Sequence, residues 1–159
     1  MIARDLIQAV PKSDLHTHLD GSMRVSTVIE LAREQGVSLP SYEVEGLNAL
    51  VFKPVYGDLP EYLAGFQYTC AVLRSFEAME RAAFELAEDA AAQGVRYVEV
   101  RFAPQLLVPT GDACVRALKA VGDGLARAAR LHNALPAVLQ GEDIPFEWSI
   151  ICCAMRNFT

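Results

Sequence analysis

The sequence lacks several features that would place it in a specialised class of protein. No run approaches the about 20 apolar residues of a membrane span. The N-terminal stretch MIARDLIQAVPK carries Arg4 and Asp5 within it, so it does not read as the apolar core of a signal peptide. Basic charge is not in excess, since the net charge is −6. That balance argues against nucleic acids and anionic membranes as partners, because both attract basic surfaces.

Cysteine is scarce and is not arranged as a metal or redox motif. The four cysteines are Cys70, Cys114, Cys152 and Cys153, and no C-x-x-C pair occurs. Two of them are adjacent in the chain, which is a poor arrangement for a disulfide between them. We therefore predict four reduced core thiols in a cytoplasmic protein.

Nothing in the chain divides it into parts, because it has no internal repeat, no low-complexity tract and no linker. Its 159 residues, 52% of them hydrophobic, suffice for one domain with a buried core. Short apolar runs at residues 15–19, 95–104 and 147–155 predict three strands. The order strand, helices, strand, helix, strand predicts an α/β fold with a parallel sheet.

Helical periodicity and capping residues predict the segments between these strands. Thr27 and Glu30 have the spacing of a capping box, and Gly36 would end that helix. A short helix should begin near Pro60, and a longer one should begin after Ser75. Asp112 would cap the helix that precedes the third strand.

The second strand predicts a polar inner face. Successive side chains of this strand alternate between two faces. The outward face carries Val98, Val100 and Phe102, and the inward face carries Tyr97, Glu99 and Arg101. A charged group that is buried without a partner destabilises the folded state, and removing one partner of a buried ion pair costs about 3–5 kcal/mol of folding free energy. Glu99 and Arg101 could form a simple ion pair, or the inner face could line a binding site.

The first strand contains the stretch SDLHTHLDG, with two histidines one residue apart. Residues i and i+2 of a strand share a face, so His16 and His18 should be neighbours, with Cα atoms roughly 6.5 Å apart. Both imidazoles could then bind one metal ion, and Asp14 and Asp20 are predicted on the same face. H-x-H alone is a weak signal, since histidines at strand ends often make ordinary hydrogen bonds. The turn at Asp20-Gly21 strengthens it, because βα barrels place active sites at that end of their strands.

Three stretches of this sequence resemble the adenosine deaminase family of metal-dependent amidohydrolases. PKSDLHTHLDGSMRVSTVIELA resembles the opening of that family, and GVRYVEVRFAPQLL resembles its second barrel strand. SIICCAMR resembles the third strand, and the likeness spans nearly the whole chain in the right order. Deaminases of the cytidine type instead use H-x-E and P-C-x-x-C motifs, which are absent here.

The resemblance implies roles for particular residues. His16 and His18 would be two ligands of one Zn²⁺ ion, although iron and nickel also suit imidazole. Asp20 would bond the ribose 5′-hydroxyl of a purine nucleoside, and Arg101 would have a structural role in the barrel interior. An apolar gate over the pocket would be formed by Leu59, Tyr62, Leu63 and Phe66. Plain core packing is the alternative interpretation of those four side chains.

The implied reaction is hydrolytic deamination of adenosine or 2′-deoxyadenosine to inosine or 2′-deoxyinosine. In the family, metal-bound hydroxide attacks C6 of the purine while a glutamate protonates N1. Those later residues come from strands that this chain does not contain, and we assign no catalytic residue within it. Its other histidine, His132, is expected to be exposed in the last turn of a helix and to interact with the helix dipole.

A complete barrel takes about 250 residues in eight strand–helix units. We therefore expect residues 1–159 to be the N-terminal segment of a single deaminase barrel domain, inactive on its own. The open edge at the third strand should invite association with another chain. The functional alternatives are deamination of another aminopurine, such as adenine or aminodeoxyfutalosine, and a non-catalytic truncated barrel fragment.

Overall fold

Strands and helices alternate along the chain. The computed structural model describes residues 6–7, 10–109 and 111–156. The described strands are β1 (Lys12–His18), β2 (Val95–Phe102) and β3 (Glu147–Cys152). The longer described helices are α1 (Val25–Gln35), α5 (Phe76–Ala92) and α6 (Asp112–Asn133). The shorter ones are α2 (Val44–Leu50), α3 (Leu59–Ala64), α4 (Phe66–Val72) and α7 (Pro136–Leu139), with a 3₁₀ turn at Pro104–Leu106.

The three strands form one parallel sheet in the order β1-β2-β3. Helices α1 to α5 connect β1 to β2, and α6 and α7 connect β2 to β3. Parallel neighbours need such crossovers, since a tight turn cannot join two ends on opposite edges. The predicted α/β fold with three strands and intervening helices is confirmed.

The predicted alternation of β2 is also confirmed. Val98, Val100 and Phe102 are buried in the core beneath the outer helices. The residues between them are partly exposed on the inner face. There the Tyr97 hydroxyl donates a hydrogen bond to Oε1 of Glu99 at 3.1 Å, which raises the pKa of Tyr97. Arg101 instead bonds the backbone of β1, so the alternative of a Glu99–Arg101 ion pair is wrong.

The first strand is less regular than its sequence predicts. Asp14 is level with Val98 and Thr17 is level with Val100, so β1 has one more residue than β2 between these pairs. An extra residue interrupts the alternation of faces. Asp14 therefore takes a register position opposite the core-facing Val98, yet it also borders the same cleft as His16 and His18. Its Oδ1 accepts a hydrogen bond from the backbone N–H of His16 at 3.1 Å.

The start of α1 also differs from its sequence prediction. Its N-cap is Arg24, whose side chain makes no capping bond, and Thr27 lies inside the helix. The buried Thr27 hydroxyl donates to Oε2 of Glu85 on α5 at 2.6 Å. Glu30 of α1 forms an ion pair with Arg81, which is also on α5, at 2.6 Å. The capping box is therefore wrong, because both of its members instead join α1 to α5. The predicted end of this helix is confirmed, since Gly36 adopts the left-handed conformation with φ 68°.

The predicted starts of α3 and α6 agree with the structure to within one residue. Pro60 lies in the first turn of α3, which Asp58 caps through a bond from the N–H of Glu61 at 2.8 Å. The N-cap of α6 is Gly111 rather than Asp112, which is the first helical residue. No helix in the described ranges is long and apolar enough to cross a membrane.

Ser75 caps α5, as predicted, by accepting a hydrogen bond from the N–H of Ala78 at 3.0 Å. We expect Ser75→Ala to lower the free energy of unfolding by about 1 kcal/mol, the usual cost of losing such a cap. Urea denaturation followed by circular dichroism measures the change. Ser26→Ala is the matched control, since Ser26 is exposed in the first turn of α1 and makes no cap. Equal losses in both variants would contradict the capping role.

The burial of side chains corrects two predictions, one for the cysteines and one for His132. All four cysteines are free, but none is fully buried, and Cys152 is exposed on the edge strand β3. The prediction of four core thiols is therefore wrong. The predicted exposure of His132 is also wrong, because its side chain is only 10% exposed. Its ring lies against Phe146, and its Nε2 is 3.3 Å from the carbonyl oxygen of Ile144.

Candidate metal centre

The two histidines lie side by side near the carboxyl end of β1. Their ring centroids are 5.4 Å apart, with 28° between the ring planes. His18 is level with Arg101 of β2, which belongs to the inner face of the sheet. The side chain of His18 is 49% exposed, so its ring is accessible on the inner face of the sheet. This is the convergence that the H-x-H spacing predicts.

Strand β2 fixes the backbone on both sides of the histidine pair. Nη2 of Arg101 donates to the carbonyl oxygen of Leu15 at 2.9 Å. The carbonyl oxygen of Arg101 accepts a bond from the N–H of Leu19 at 3.0 Å. One residue of β2 therefore holds the chain before and after the two imidazoles. These contacts agree with the structural role expected for Arg101.

Asp20 follows β1 and is 9% exposed. Its Oδ1 lies 3.9 Å from Nδ1 of His18, beyond hydrogen-bond distance. Its Oδ2 accepts from the thiol of Cys70 at 3.7 Å. Among the described residues, Oδ1 has no hydrogen-bond partner. A carboxylate oxygen buried in this way is costly unless a ligand or another group supplies a hydrogen.

The glycine after Asp20 lies between the end of β1 and α4. A Cβ atom on Gly21 would lie 3.4 Å from Cβ of His18 and 3.5 Å from the ring of Phe66. The aromatic ring is therefore packed against the backbone of the turn that follows β1. Both distances are ordinary van der Waals contacts, so the turn and α4 meet here with room for about one methyl group.

A cleft of about 750 Å³ opens over the histidine pair. Its lining includes the predicted site residues His16, His18, Asp20, Tyr62, Leu63 and Phe66. Leu59 is absent from that lining and is 65% exposed. The cleft therefore brings together six of the seven side chains that the sequence singles out.

The cleft also has walls that the sequence pattern does not assign. They include Cys70 of α4, and Phe102, Ala103, Leu106, Cys153 and Met155 at the ends of β2 and β3. The second group carries a signal, because functional residues of βα barrels follow the carboxyl ends of successive strands. No local pattern identifies Cys70, which lies in the middle of a short helix.

The aromatic wall is held in place by the segment that precedes α3. Oε1 of Glu61 pairs with Nζ of Lys53 at 2.6 Å, and Oε2 accepts from the N–H of Gly57 at 2.6 Å. Lys53 is the main cause of a lowered pKa at Glu61. The ring of Tyr62 packs edge-on against Tyr56 and Phe66, with centroids 5.2 and 5.6 Å away. Tyr62 therefore contacts both neighbouring segments.

The donor set fits part of a zinc site. Protein zinc takes about four ligands, and neutral imidazoles are common among them. His16 and His18 can supply two, and their rings are close enough to share one ion. Within residues 6–7, 10–109 and 111–156, no group of three or more His, Cys, Asp or Glu side chains could hold a metal. The described chain thus provides a pair of ligands rather than a complete site.

Sequence comparison places this geometry in a family. The sequence profile described as adenosine deaminase matches residues 11–156. The chain belongs to the adenosine deaminase family. The resemblance to this family, which the H-x-H-L-D-G stretch indicates, is therefore confirmed.

Two curated members show how much of the family's length this chain spans. It is 40% identical over 157 residues to a probable adenosine deaminase of Dictyostelium discoideum. The aligned region covers 98% of this chain and 19% of that protein. It is 41% identical over 127 residues to the adenosine deaminase of Shewanella woodyi. That aligned region covers 79% of this chain and 38% of the Shewanella protein. The chain therefore spans well under half of either relative.

A solved structure shows the same relation in three dimensions. The structure of Arabidopsis ADAL complexed with GMP matches with a TM-score of 0.70 and 25% identity. The match covers 98% of this chain and 44% of the Arabidopsis chain. The three-stranded unit thus has the fold of part of a TIM barrel of the amidohydrolase type, as the sequence predicts.

Proposed function

We propose that the protein carrying this chain hydrolytically deaminates adenosine or 2′-deoxyadenosine, giving inosine or 2′-deoxyinosine. One observation carries the proposal. Two imidazoles lie side by side in a cleft that also contains a buried carboxylate with an unpartnered oxygen. Membership of the adenosine deaminase family supports aminopurine deamination as the reaction class.

His16 and His18 are the residues we propose to hold one metal ion, with Zn²⁺ as the first choice. A zinc ion held there would supply a bound water molecule with a pKa lowered to about 7. The protein's part is to keep the two rings adjacent and facing the cleft. The contacts of Arg101 on either side of the pair support that function.

Asp20 is the residue we propose to recognise the ribose. Its Oδ1 is buried and can accept one hydrogen bond, which a ribose 5′-hydroxyl would donate. A buried acceptor without a partner is costly, so the hydroxyl would contribute to binding. A phosphate at the same position would bring like charges together. We therefore propose that nucleosides are preferred over nucleotides, although the Arabidopsis relative was solved with GMP.

Tyr62, Leu63 and Phe66 are proposed as the apolar wall against the purine. Their side chains line the cleft, and aromatic rings pack well against a flat base. Leu59 lies at the exposed start of the same helical segment. We keep it as a proposed gate residue that would contact the ligand only when that segment closes over the cleft.

We propose that residues 1–159 form the N-terminal segment of a single deaminase barrel domain. The shares of 19% and 38% of the curated relatives support this interpretation. So does the pair of imidazoles, which needs further ligands and proton-transfer groups from other strands. This segment alone is then expected to be inactive. Its four unpaired thiols support the cytoplasm as the proposed location.

A substrate panel tests the proposed function on the natural gene product that carries this sequence. Adenosine, 2′-deoxyadenosine, adenine, aminodeoxyfutalosine and AMP are compared by the release of ammonia. We expect kcat/KM to be highest for the two nucleosides. Preference for adenine or aminodeoxyfutalosine would replace adenosine as the substrate. No turnover of any compound, from a purified product of 17.4 kDa, would favour the non-catalytic fragment.

The role of Asp20 has its own test in the same gene product. We expect Asp20→Asn to raise KM for adenosine by about tenfold, because hydrogen bonds to charged groups contribute about 1.5–3 kcal/mol. 5′-Deoxyadenosine is the control substrate, since it has no 5′-hydroxyl to donate. Its KM should be unchanged by the substitution. An equal rise for both substrates would overturn the proposed ribose contact.

A further inference from the structure

Cys70 approaches Asp20 from α4, although the two residues are 50 positions apart in the chain. The Sγ atom lies 3.7 Å from Oδ2 of the carboxylate, a normal distance for a hydrogen bond that involves sulfur. The backbone of Cys70 is also fixed, because Nε of Arg74 donates to its carbonyl oxygen at 3.2 Å. The thiol is therefore held at one oxygen of a residue that faces the cleft.

The two oxygens of Asp20 have different surroundings. Oδ2 has the thiol as its partner, whereas Oδ1 is buried without a hydrogen-bond partner among the described residues. Oδ1 is also the oxygen nearer to His18. The carboxylate is thus bound at one end and open at the other. A group that fixes Oδ2 restricts the rotation of the carboxylate and so decides which oxygen faces a ligand.

The thiol is suited to this task because it keeps its hydrogen at neutral pH. Burial raises the pKa of Cys70 to about 11, and the nearby charge of Asp20 contributes to the increase. A thiol with a raised pKa is a poor nucleophile, since the thiolate is the reactive form. Chemical attack on a substrate is therefore the wrong role for Cys70, whereas donation of a hydrogen bond requires the protonated form.

We propose that Cys70 is a positioning residue for Asp20: its thiol binds Oδ2 and leaves Oδ1 to receive the ligand's hydroxyl group. This inference rests on the proposed function for the identity of that ligand. The contact itself belongs to the described chain and can be tested without any turnover. The competing explanation is that Cys70 only fills space beside Asp20.

Peptide-resolved alkylation tests the contact in this chain. The chain is treated with iodoacetamide at pH 8 in the presence of EDTA, and mass spectrometry gives the rate for each cysteine. We expect Cys70 to react at least about tenfold more slowly than the exposed Cys152, because less of it is thiolate. Asp20→Asn should accelerate Cys70 by about threefold or more, while Cys114 and Cys152 keep their rates. An unchanged rate for Cys70 in that variant would overturn the contact.

Steady-state kinetics of the natural gene product test the positioning role. We expect Cys70→Ala to raise KM for adenosine about three- to tenfold with little change in kcat, since a single hydrogen bond to Asp20 is lost. Cys70→Ser keeps a donor of similar size and should return KM to within about twofold of the wild type. Equal effects of both substitutions would indicate packing alone and would overturn the proposal, as would no effect of either.

The two experiments separate this inference from the proposed function. If the gene product turns over no aminopurine, the proposed function fails, and the alkylation rates still decide whether Cys70 binds Asp20. If adenosine is turned over and Cys70→Ala leaves KM unchanged, the positioning role fails while the proposed function stands.

Discussion

Replacing His16 and His18 together by alanine is expected to reduce aminopurine turnover by the natural gene product at least about 1000-fold. Without the pair, no imidazole from β1 remains to hold a metal in the cleft. Water that is not bound to a metal has a far higher pKa than zinc-bound water, whose pKa is about 7, so very little hydroxide would form at neutral pH. The loss should appear in kcat, and added zinc should not restore it.

His132→Gln is the matched control for this double substitution. His132 is the third histidine of the chain and contacts Phe146 and Ile144, away from the residues that line the cleft. We expect this variant to keep kcat within about twofold of the wild type, since it removes no group that faces the ligand. Similar losses in both variants would indicate misfolding rather than the loss of a metal site.

Gly124→Ala is expected to destabilise the fold by about 3 kcal/mol, a large effect for the addition of one methyl group. Helices α5 and α6 pack closely at this point. A Cβ atom at Gly124 would collide with the carbonyl oxygen of Glu80 and would lie 3.0 Å from the backbone nitrogen of Phe84. Backbone atoms cannot rotate away, so the helices would have to separate. Because domains are stable by only about 5–15 kcal/mol, urea denaturation should show the loss clearly.

Gly122 provides the control in the same helix. A Cβ atom there would lie 3.7 Å from Trp148 and 3.8 Å from Ile150, at ordinary contact distances. Alanine is also favoured over glycine within a helix by about 1 kcal/mol. Gly122→Ala should therefore leave the free energy of unfolding unchanged or raise it. A loss as large as that of Gly124→Ala would contradict the close packing of α5 and α6.

Periodic patterns in the sequence are sufficient to predict the fold class. The alternation of β2 places Val98 and Val100 in the core, and it is visible from the residue types alone. The spacing of His16 and His18 likewise predicts a shared direction, and the rings do lie side by side. These features depend on local geometry, which residue spacing determines directly.

Features that depend on a second element cannot be predicted in the same way. Thr27 has the chemistry of a cap, but a buried hydrogen bond to Glu85 competes with capping and is formed instead. Simple alternation does not predict the extra residue of β1 between Asp14 and Thr17, which appears only in the pairing with β2. Both outcomes require knowledge of the neighbouring element, and the local sequence does not contain it.

The candidate site shows the same division. The residues of the H-x-H-L-D-G stretch can be identified together because they are close in sequence. The contact between Cys70 and Asp20 joins α4 to the end of β1, and no spacing rule connects them. The apolar neighbours of Cys152 predict its burial, yet it lies exposed on the edge strand. Association through that open edge stays a prediction.

Metal content measured after dialysis against zinc tests the central claim most directly. The natural gene product, its His16→Ala/His18→Ala variant and its His132→Gln variant are compared by mass spectrometry of the metal. We predict about one zinc ion per chain in the wild type and in His132→Gln, and about none in the double variant. Equal zinc content in all three proteins would show that the imidazole pair on β1 does not hold the ion.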